Sequence, residues 1–490
     1  MYHSENKQTG AVQTHYGLLL AILVCAVCLR VFRLDFQSFW FDECASLYFA
    51  TQATWQDFLF QIRTDFHPPG YYGLLRLWLA LLPESEASVR LLSAFLGSLA
   101  VVVIYLIART LFSLPVALLA ALFSSTSLLF IWASQEARAY ALIMLLALCS
   151  THMFILLWHK PQWRYALGYL LANVLLLFSH YASTLLLAAH LAFVLVAVFG
   201  SRRHVAAGLV KRRITLYLCS QLATLFCFLP WLSSFLVQLD SASQRLWIPE
   251  ASWLDGAKLF LIFLSWRPRW PNLYPFLTVL LVCVVCASLF LFLSKKRPLD
   301  DKSERARFTQ AQLFVLLWLF LPPLLAWSIS FFSMNIFFYK PLIFSAPALF
   351  ILLAQLVMRL PRNLYRVVFV ALIISFSAAH YRWYYFRHHK QNWRAAAAFV
   401  ASKARPSDQF RFEAAGVELA FDYYFRNSYQ KLRHNTDATS ERVWFIRSLS
   451  SQSMRKVRQE FETVGYHAQA RENFTGIRVL LFQKGAVVAR

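Results

Sequence analysis

The chain is short of acid and of the loops that hold free nucleotides. Against 48 Lys and Arg stand only 24 Asp and Glu, and charged residues make up 15% of the 490. No Gly-rich phosphate loop, D-x-D nucleotide-sugar motif or HExxH occurs, which argues against a divalent nucleotide-sugar complex and a zincin-type centre. There is no internal repeat and no low-complexity stretch. Cysteine is sparse too: of eight, Cys25/Cys28 and Cys283/Cys286 have C-x-x-C spacing but lie inside apolar runs. They read as small apolar helix residues rather than redox or zinc ligands. Cys44, in a loop placed away from the cytoplasm, has no evident partner, so no structural disulfide is expected.

What is abundant is apolar surface. Hydrophobic residues make up 59% and aromatics 17%, with a mean hydropathy of +0.50. Many runs reach the roughly 20 residues needed to cross a hydrocarbon core about 30 Å thick. They are continuous, not alternating as in a barrel, so the chain reads as an α-helical polytopic membrane protein. Eleven spans are predicted, near 15–34, 87–108, 115–132, 139–158, 165–179, 182–199, 214–231, 273–293, 310–330, 342–358 and 367–381. The first resembles a signal peptide but lacks a small-residue cleavage site, and it is read as retained. Tyr71 to Leu82 and 256–266 are too short to cross and read as interfacial.

The formal charge of +24 would suggest nucleic acid in a soluble protein. Here much of it falls in short loops between spans: Arg202, Arg203, His204, Lys211, Arg212 and Arg213; Lys295, Lys296 and Arg297; Arg359, Arg362 and Arg366. Positive-inside bias and anionic membrane lipids account for these, and nucleic acid is not expected as a partner. With a cytoplasmic N-terminus, every strongly basic loop then lies inside. Asp42, Glu43, His67, Arg138, His180 and Lys340 lie on the other face. Crossing by 256–266 would invert the later loops. Residues 382–490 lack any spanning run. Helical spacing at Trp393 to Ala404 and short strands at 442–446 and 477–482 suggest a small α/β extracytoplasmic domain. The organisation expected is 1–381 as the membrane domain, with 35–86 as its first outer loop, and 382–490 as the outer domain.

The adjacent pair Asp42-Glu43 follows the first span directly, in a run of interfacial aromatics, Phe39-Trp40-Phe41. Carboxylates at a bilayer are costly unless used or paired. A positioned carboxylate can take the proton from an attacking hydroxyl, and an acidic pair can also cap a helix beginning near Cys44. Asp42 is the candidate base, with Glu43 orienting it or a sugar. Arg90, Arg138 and Lys340 are cations suited to a phosphate, though each can snorkel to headgroups and Arg138 and Arg90 have acids nearby in sequence. His67 can serve a sugar, a phosphate or a divalent metal. Tyr71 and Tyr72 suit sugar stacking or interface anchoring, and His180, beside Tyr181, suits a ligand role or a satisfied interface.

Four motifs in order carry a family likeness: Phe39-Trp40-Phe41-Asp42-Glu43, His67-Pro68-Pro69-Gly70-Tyr71-Tyr72, Val89-Arg90-Leu91-Leu92-Ser93-Ala94, and Ser134-Gln135-Glu136-Ala137-Arg138-Ala139-Tyr140. Asn392-Trp393-Arg394 adds a fifth. The chain resembles GT-C membrane glycosyltransferases of the protein mannosyltransferase and lipid A aminoarabinose transferase type. It departs from them at Gly70, where Leu is usual, and at Tyr339-Lys340, where an Arg-Tyr pair is usual. The resemblance implies a GT-C fold and a polyprenyl-phosphate sugar as donor. It implies inverting transfer to a glycan, lipid or protein acceptor on the extracytoplasmic face. Short loops and the lack of an expected disulfide favour a bacterial inner membrane. Two other readings compete: a transporter or flippase of a lipid-linked saccharide, and a non-catalytic scaffold. A transporter would favour repeats and mid-span charges; here the charges gather at one rim.

Overall fold

The computed structural model describes residues 2–200, 207–245, 252, 254–266, 302–333, 335–428, 440–448 and 454–485. The expected span at 273–293, the basic runs Arg202-Arg203-His204 and Lys295-Lys296-Arg297, and the Cys283/Cys286 pair lie outside the described residues. The chain divides into two compact units. One comprises Met1–Phe32, Ala53–Leu82 and Val89–Tyr381; the other comprises Arg33–Gln52, Pro83–Ser88 and Arg382–Arg490.

The first unit is helical. Seven described helices are long and apolar enough to cross a membrane: Glu86–Leu111, Tyr140–His159, Tyr181–Phe199, Gly208–Ser241, Ala306–Phe332, Pro341–Arg359 and Asn363–Phe386. His15–Val31 and Trp163–Leu177 are apolar but shorter, so the number eleven stays an expectation. The stretch read as a third continuous span is broken. Leu114–Thr126 and Leu128–Ser134 meet at an angle of 60°, with Ser127 in an extended conformation between them.

A break inside an apolar bundle exposes backbone groups that water cannot reach, and each must find a partner within the protein. Here they do. The buried Arg30 guanidinium donates to Ser124 O and Ser125 O, each at 3.1 Å, and to Ala26 O at 3.0 Å. It therefore covers the orphan carbonyls of a helix C-terminus, where a cation also meets the negative end of the helix dipole. The Tyr381 hydroxyl donates to Thr126 O, and the Leu128 N–H donates to Ser377 Oγ at 3.1 Å. Beyond the short second helix, Gln135 Nε2 donates to Arg30 O and Phe32 O at 2.9 Å. The broken helix and the first helix thus cap each other. Gly97 lets a third helix approach: a Cβ there would meet Ser134 Oγ at 1.9 Å.

The second unit holds a four-stranded sheet: β1 (Gln409–Phe412), β2 (Arg442–Ser448), β3 (Tyr466–Phe474) and β4 (Ile477–Lys484). The spatial order is β1-β2-β4-β3. β1 and β2 run parallel, and the other pairings are antiparallel. The segments 442–446 and 477–482, expected as short strands, are strand, and Trp393–Lys403 is helix. Asn392 caps that helix by accepting from the Ala395 N–H at 3.2 Å. Segment 33–52 is laced to its start. Gln37 Nε2 donates to Arg387 O at 2.8 Å, and Ser38 Oγ to Gln391 O at 2.7 Å. Within the sheet, buried Asp408 pairs with Arg442 at 3.2 Å and accepts from Trp444 Nε1 at 2.7 Å.

Arg30→Met should leave the Ser124 and Ser125 carbonyls buried without a donor, at about 1–3 kcal/mol each. A marked fall in the thermal unfolding midpoint of detergent-purified protein is expected. A midpoint equal to wild type would show that the break does not depend on Arg30.

Candidate active site

The acidic pair opens the helix Phe41–Ala50, both residues in its first turn, where the helix dipole favours negative charge. Their environments differ. Glu43 is fully buried; its carboxylate meets Lys390 Nζ at 3.2 Å and accepts the Trp40 N–H at 3.3 Å. Asp42 is half-buried. Glu43 is thus fixed by a buried cation and serves the helix N-terminus, while Asp42 beside it keeps partial exposure. Lys390 was not singled out in the sequence, because it closes the basic run Arg387-His388-His389-Lys390, which reads as an ordinary interfacial cluster.

In the first unit, the loop between helices Trp55–Ile62 and Gly70–Leu79 carries the H-P-P motif. It is lashed to the end of the helix Trp163–Leu177: the Gly70 N–H donates to Phe178 O at 2.7 Å. A Cβ on Gly70 would stand 2.5 Å from that oxygen. This explains the departure from Leu at position 70, since only glycine allows the two backbones so close. The approach brings His180 to His67, with ring centroids 5.4 Å apart.

His67, Tyr71, Tyr72, Arg138, Tyr140 and His180 line one cleft, about 260 Å³ including its open mouth. Asp65, which no motif in the sequence marks, organises it. Its Oδ2 accepts from the Tyr72 hydroxyl at 2.8 Å and lies 3.2 Å from His67 Nδ1, while Arg138 Nη1 donates to Tyr72 Oη at 3.3 Å. Burial acts to raise the Asp65 pKa, but the His67 charge and hydrogen bond and the Arg138 charge outweigh it and bring it to about 2. Asp65 is a fixed anion that holds His67 and Tyr72, not a proton carrier near neutral pH. The local signal was an acid two residues before the His of an H-P-P loop.

His180 is the opposite case. Burial, then the charges of His67 and Arg138, pull its pKa down to about 3 against the pull of Asp65, so it is neutral at pH 7. Its Nδ1 accepts the Ala182 N–H at 3.1 Å, which puts the proton on Nε2. Lys340, 6% exposed, sits against aromatic faces, 5.5 Å from the Phe338 ring centroid, 5.6 Å from Tyr140 and 5.8 Å from Trp132, a setting that holds a cation out of water. Tyr140 stacks on Trp132 at 5.3 Å, and Tyr339 lies 6.0 Å from the same indole. Lys340 and Tyr339 therefore adjoin the cleft through Tyr140 and Trp132. Arg90 is buried in the same unit but does not line it, and Asp42 and Glu43 belong to the other unit. Among the described residues, no group of three His, Cys, Asp or Glu is placed to hold a metal ion.

Residues 66–233 match the family described as dolichyl-phosphate-mannose-protein mannosyltransferase, a stretch that includes His67, Arg138 and His180. Apo ArnT from Cupriavidus metallidurans matches in structure with a TM-score of 0.58 at 14% identity, over 97% of this chain and 98% of that one. The chain has an ArnT-like GT-C fold. A second GT-C structure, ArnT from the same organism bound to undecaprenyl phosphate, matches with a TM-score of 0.56 at 13% identity, covering 98% and 99%. The archaeal oligosaccharyltransferase AglB from Archaeoglobus fulgidus, in complex with an inhibitory peptide and a dolichol-phosphate, matches at 0.52 and 12% identity, over 95% of this chain and 74% of that one. Among curated proteins no sequence matches. No comparison supports the transporter reading. The GT-C likeness embraces the helical unit and the sheet alike.

Two measurements probe the site. Lys390→Met should strand the Glu43 carboxylate, a loss of about 3–5 kcal/mol. The Glu43→Gln/Lys390→Met double variant should recover part of it. A double variant no more stable than Lys390→Met would remove the pair as the cause. The second is pH dependence. In the unfolded chain His180 takes up a proton below about 6.5, but in the fold only near 3, so its contribution is complete above 6.5 and falls as pH drops towards 3. Asp65, lowered from 3.8 to about 2, adds its own loss only below about 4. The unfolding midpoint should therefore fall between pH 7 and pH 5, and His180→Asn should flatten that fall; an unchanged slope would place the sensitivity elsewhere.

Proposed function

We propose that the protein is an integral-membrane glycosyltransferase that moves a sugar from a polyprenyl-phosphate donor to an acceptor on the extracytoplasmic face of a bacterial inner membrane. The observation that carries this reading is the cleft of Arg138, His67 and His180, with Lys340 adjoining it against Tyr140, in a fold shared with ArnT bound to undecaprenyl phosphate. Residues 1–381 form the catalytic membrane domain in this reading, and 382–490 an extracytoplasmic domain.

The acceptor oxygen attacks the anomeric carbon from the face opposite the phosphate while Asp42 takes its proton. The bond from that carbon to the phosphate oxygen breaks, and its electron pair leaves with the lipid phosphate. Inversion follows from this single displacement. Charge grows on the departing oxygen, where fixed donors are worth most; Arg138 offers a guanidinium fork, Lys340 a point charge, and neutral His180 an Nε2–H. Asp65 keeps His67 and Tyr72 in place, Tyr71 gives the cleft its aromatic wall, and Tyr339 backs Lys340. Glu43, held by Lys390, sets the start of the helix that bears Asp42. Arg90 is the remaining candidate for the lipid phosphate.

The test is donor consumption. Purified wild type is given a panel of polyprenyl-phosphate sugars with candidate glycan, lipid and protein acceptors, and the lipid is followed by mass spectrometry. Wild type should consume one donor, and Asp42→Asn should slow turnover about 10²-fold or more while binding that donor normally. Near-wild-type turnover by Asp42→Asn would remove Asp42 as the base. Lys340→Ala and Arg138→Gln should weaken donor binding; if neither does, the phosphate lies elsewhere.

A further inference from the structure

Orientation bias explains Lys and Arg in short loops between spans, but it does not explain the residues beyond the last one. Residues 382–490 carry nineteen Lys and Arg against nine Asp and Glu. The sheet shows where part of this charge is gathered. Strand registers place Arg411 beside Phe445, Arg447 opposite Arg478, Arg471 opposite Leu480 and Asn473 opposite Arg478. Because alternate residues of a strand share a face, all four arginines lie on one side of the sheet. It is the side whose apolar half, Phe445 and Leu480, packs with Val457 and Phe461 of the helix Met454–Thr463.

The row is built, not scattered. Arg447, 2% exposed, pairs with Glu413 at 3.1 Å. Arg478 is half-buried, and its Nε donates to Asn473 Oδ1 at 2.8 Å. The Arg411 guanidinium lies 5.3 Å from the Phe461 ring, and Arg411 and Arg471 are exposed. Like charges directly opposite across strands are destabilising, and Arg447 and Arg478 are so placed. Burial, and then the charges of Arg471 and Arg447, lower the Arg478 pKa. An anion laid on this face would relieve that repulsion. Arginine forks suit phosphoryl and carboxylate oxygens. The arginines span four strands in two adjacent lines, Arg411 and Arg471 level with Phe445 and Leu480 and Arg447 and Arg478 two residues along; three spacings of about 4.8 Å make about 14 Å, which is the length of a short glycan and not of a single ion.

We propose that this sheet face anchors a phosphate-bearing glycan, with Arg411, Arg471 and Arg478 supplying charge-assisted hydrogen bonds above the Arg447–Glu413 pair. That the glycan is the acceptor rests on the transferase reading; the anion site itself does not.

The full chain in nanodiscs of neutral phosphatidylcholine is titrated with a phosphorylated manno-oligosaccharide, its neutral counterpart and inorganic phosphate. Wild type should bind the phosphorylated oligosaccharide at least tenfold more tightly than either of the others, with an affinity that falls as salt rises. Arg411→Gln/Arg471→Gln, which alters only exposed side chains, should weaken that binding about tenfold or more, with unfolding midpoint and undecaprenyl-phosphate affinity unchanged. Four outcomes would overturn the proposal: no binding by wild type, equal binding by the variant, equal binding of the neutral oligosaccharide, or inorganic phosphate binding as tightly as the glycan. Loss of glycan binding in nanodiscs containing phosphatidylglycerol would also overturn it, by giving the face to membrane headgroups. Failure of the transferase reading would show in donor consumption, which this experiment does not measure.

Discussion

A backbone that breaks its helix inside an apolar bundle must find every freed hydrogen bond a partner, and the membrane unit is arranged around one such break. Arg30, Tyr381 and Ser377 come from the first and last of the described apolar helices, and all three converge on the few residues around Ser127. The break turns the chain through 60°, and the short helix after it delivers Trp132, Gln135 and, four residues past its end, Arg138. The aromatic bed of Lys340 and the guanidinium of the cleft therefore both depend on a deliberately interrupted helix. The arginine that supports the break is itself fully buried, which a bilayer tolerates because it answers the Ser124 and Ser125 carbonyls that the break frees.

The two acidic centres show how environment separates like groups. Glu43 and Asp65 are both held by cations and hydrogen bonds, and both position neighbours: the one a helix start, the other a histidine and a tyrosine. Of these three carboxylates Glu43 is fully buried, while Asp42 and Asp65 are half-buried, and Asp65 is held by the Tyr72 hydroxyl and His67. A group that must gain and lose a proton needs access to water, whereas a group that organises a site needs fixed partners. His180 completes the contrast. Half-buried and neutral, with its tautomer set by a backbone N–H, it can donate a hydrogen bond without bringing a charge into the cleft.

Much of this was legible in the sequence wherever a periodic pattern or an ordered motif existed. The described long apolar runs are helices, and the short apolar runs at 442–446 and 477–482 are the two central strands. His67, Tyr71, Tyr72, Arg138 and His180 came together in one cleft. What escaped had no period to betray it. β1 has only four residues, and β3 is an edge strand whose residues mostly face water, so neither shows an apolar stripe. The helix break hid within Ser124-Ser125-Thr126-Ser127, whose small side chains fit a membrane helix as readily as they fit its interruption. Asp65 is one acid in an irregular loop, and Lys390 one cation in a basic run. Their importance comes from partners far away in the chain, at Tyr72 and Arg138 and at Glu43.

The bond between the Gly70 N–H and Phe178 O has a mechanical consequence. It ties the two walls of the cleft, one bearing His67 and the other His180, into a single jaw, so neither histidine can swing away from the other without parting a backbone contact that only glycine permits. Opening of the cleft would have to come from the side bearing Arg138 and Tyr140, with the histidine side still. In a lineage of such chains, position 70 would then drift in concert with residues 178–180 and hardly at all with its own sequence neighbours.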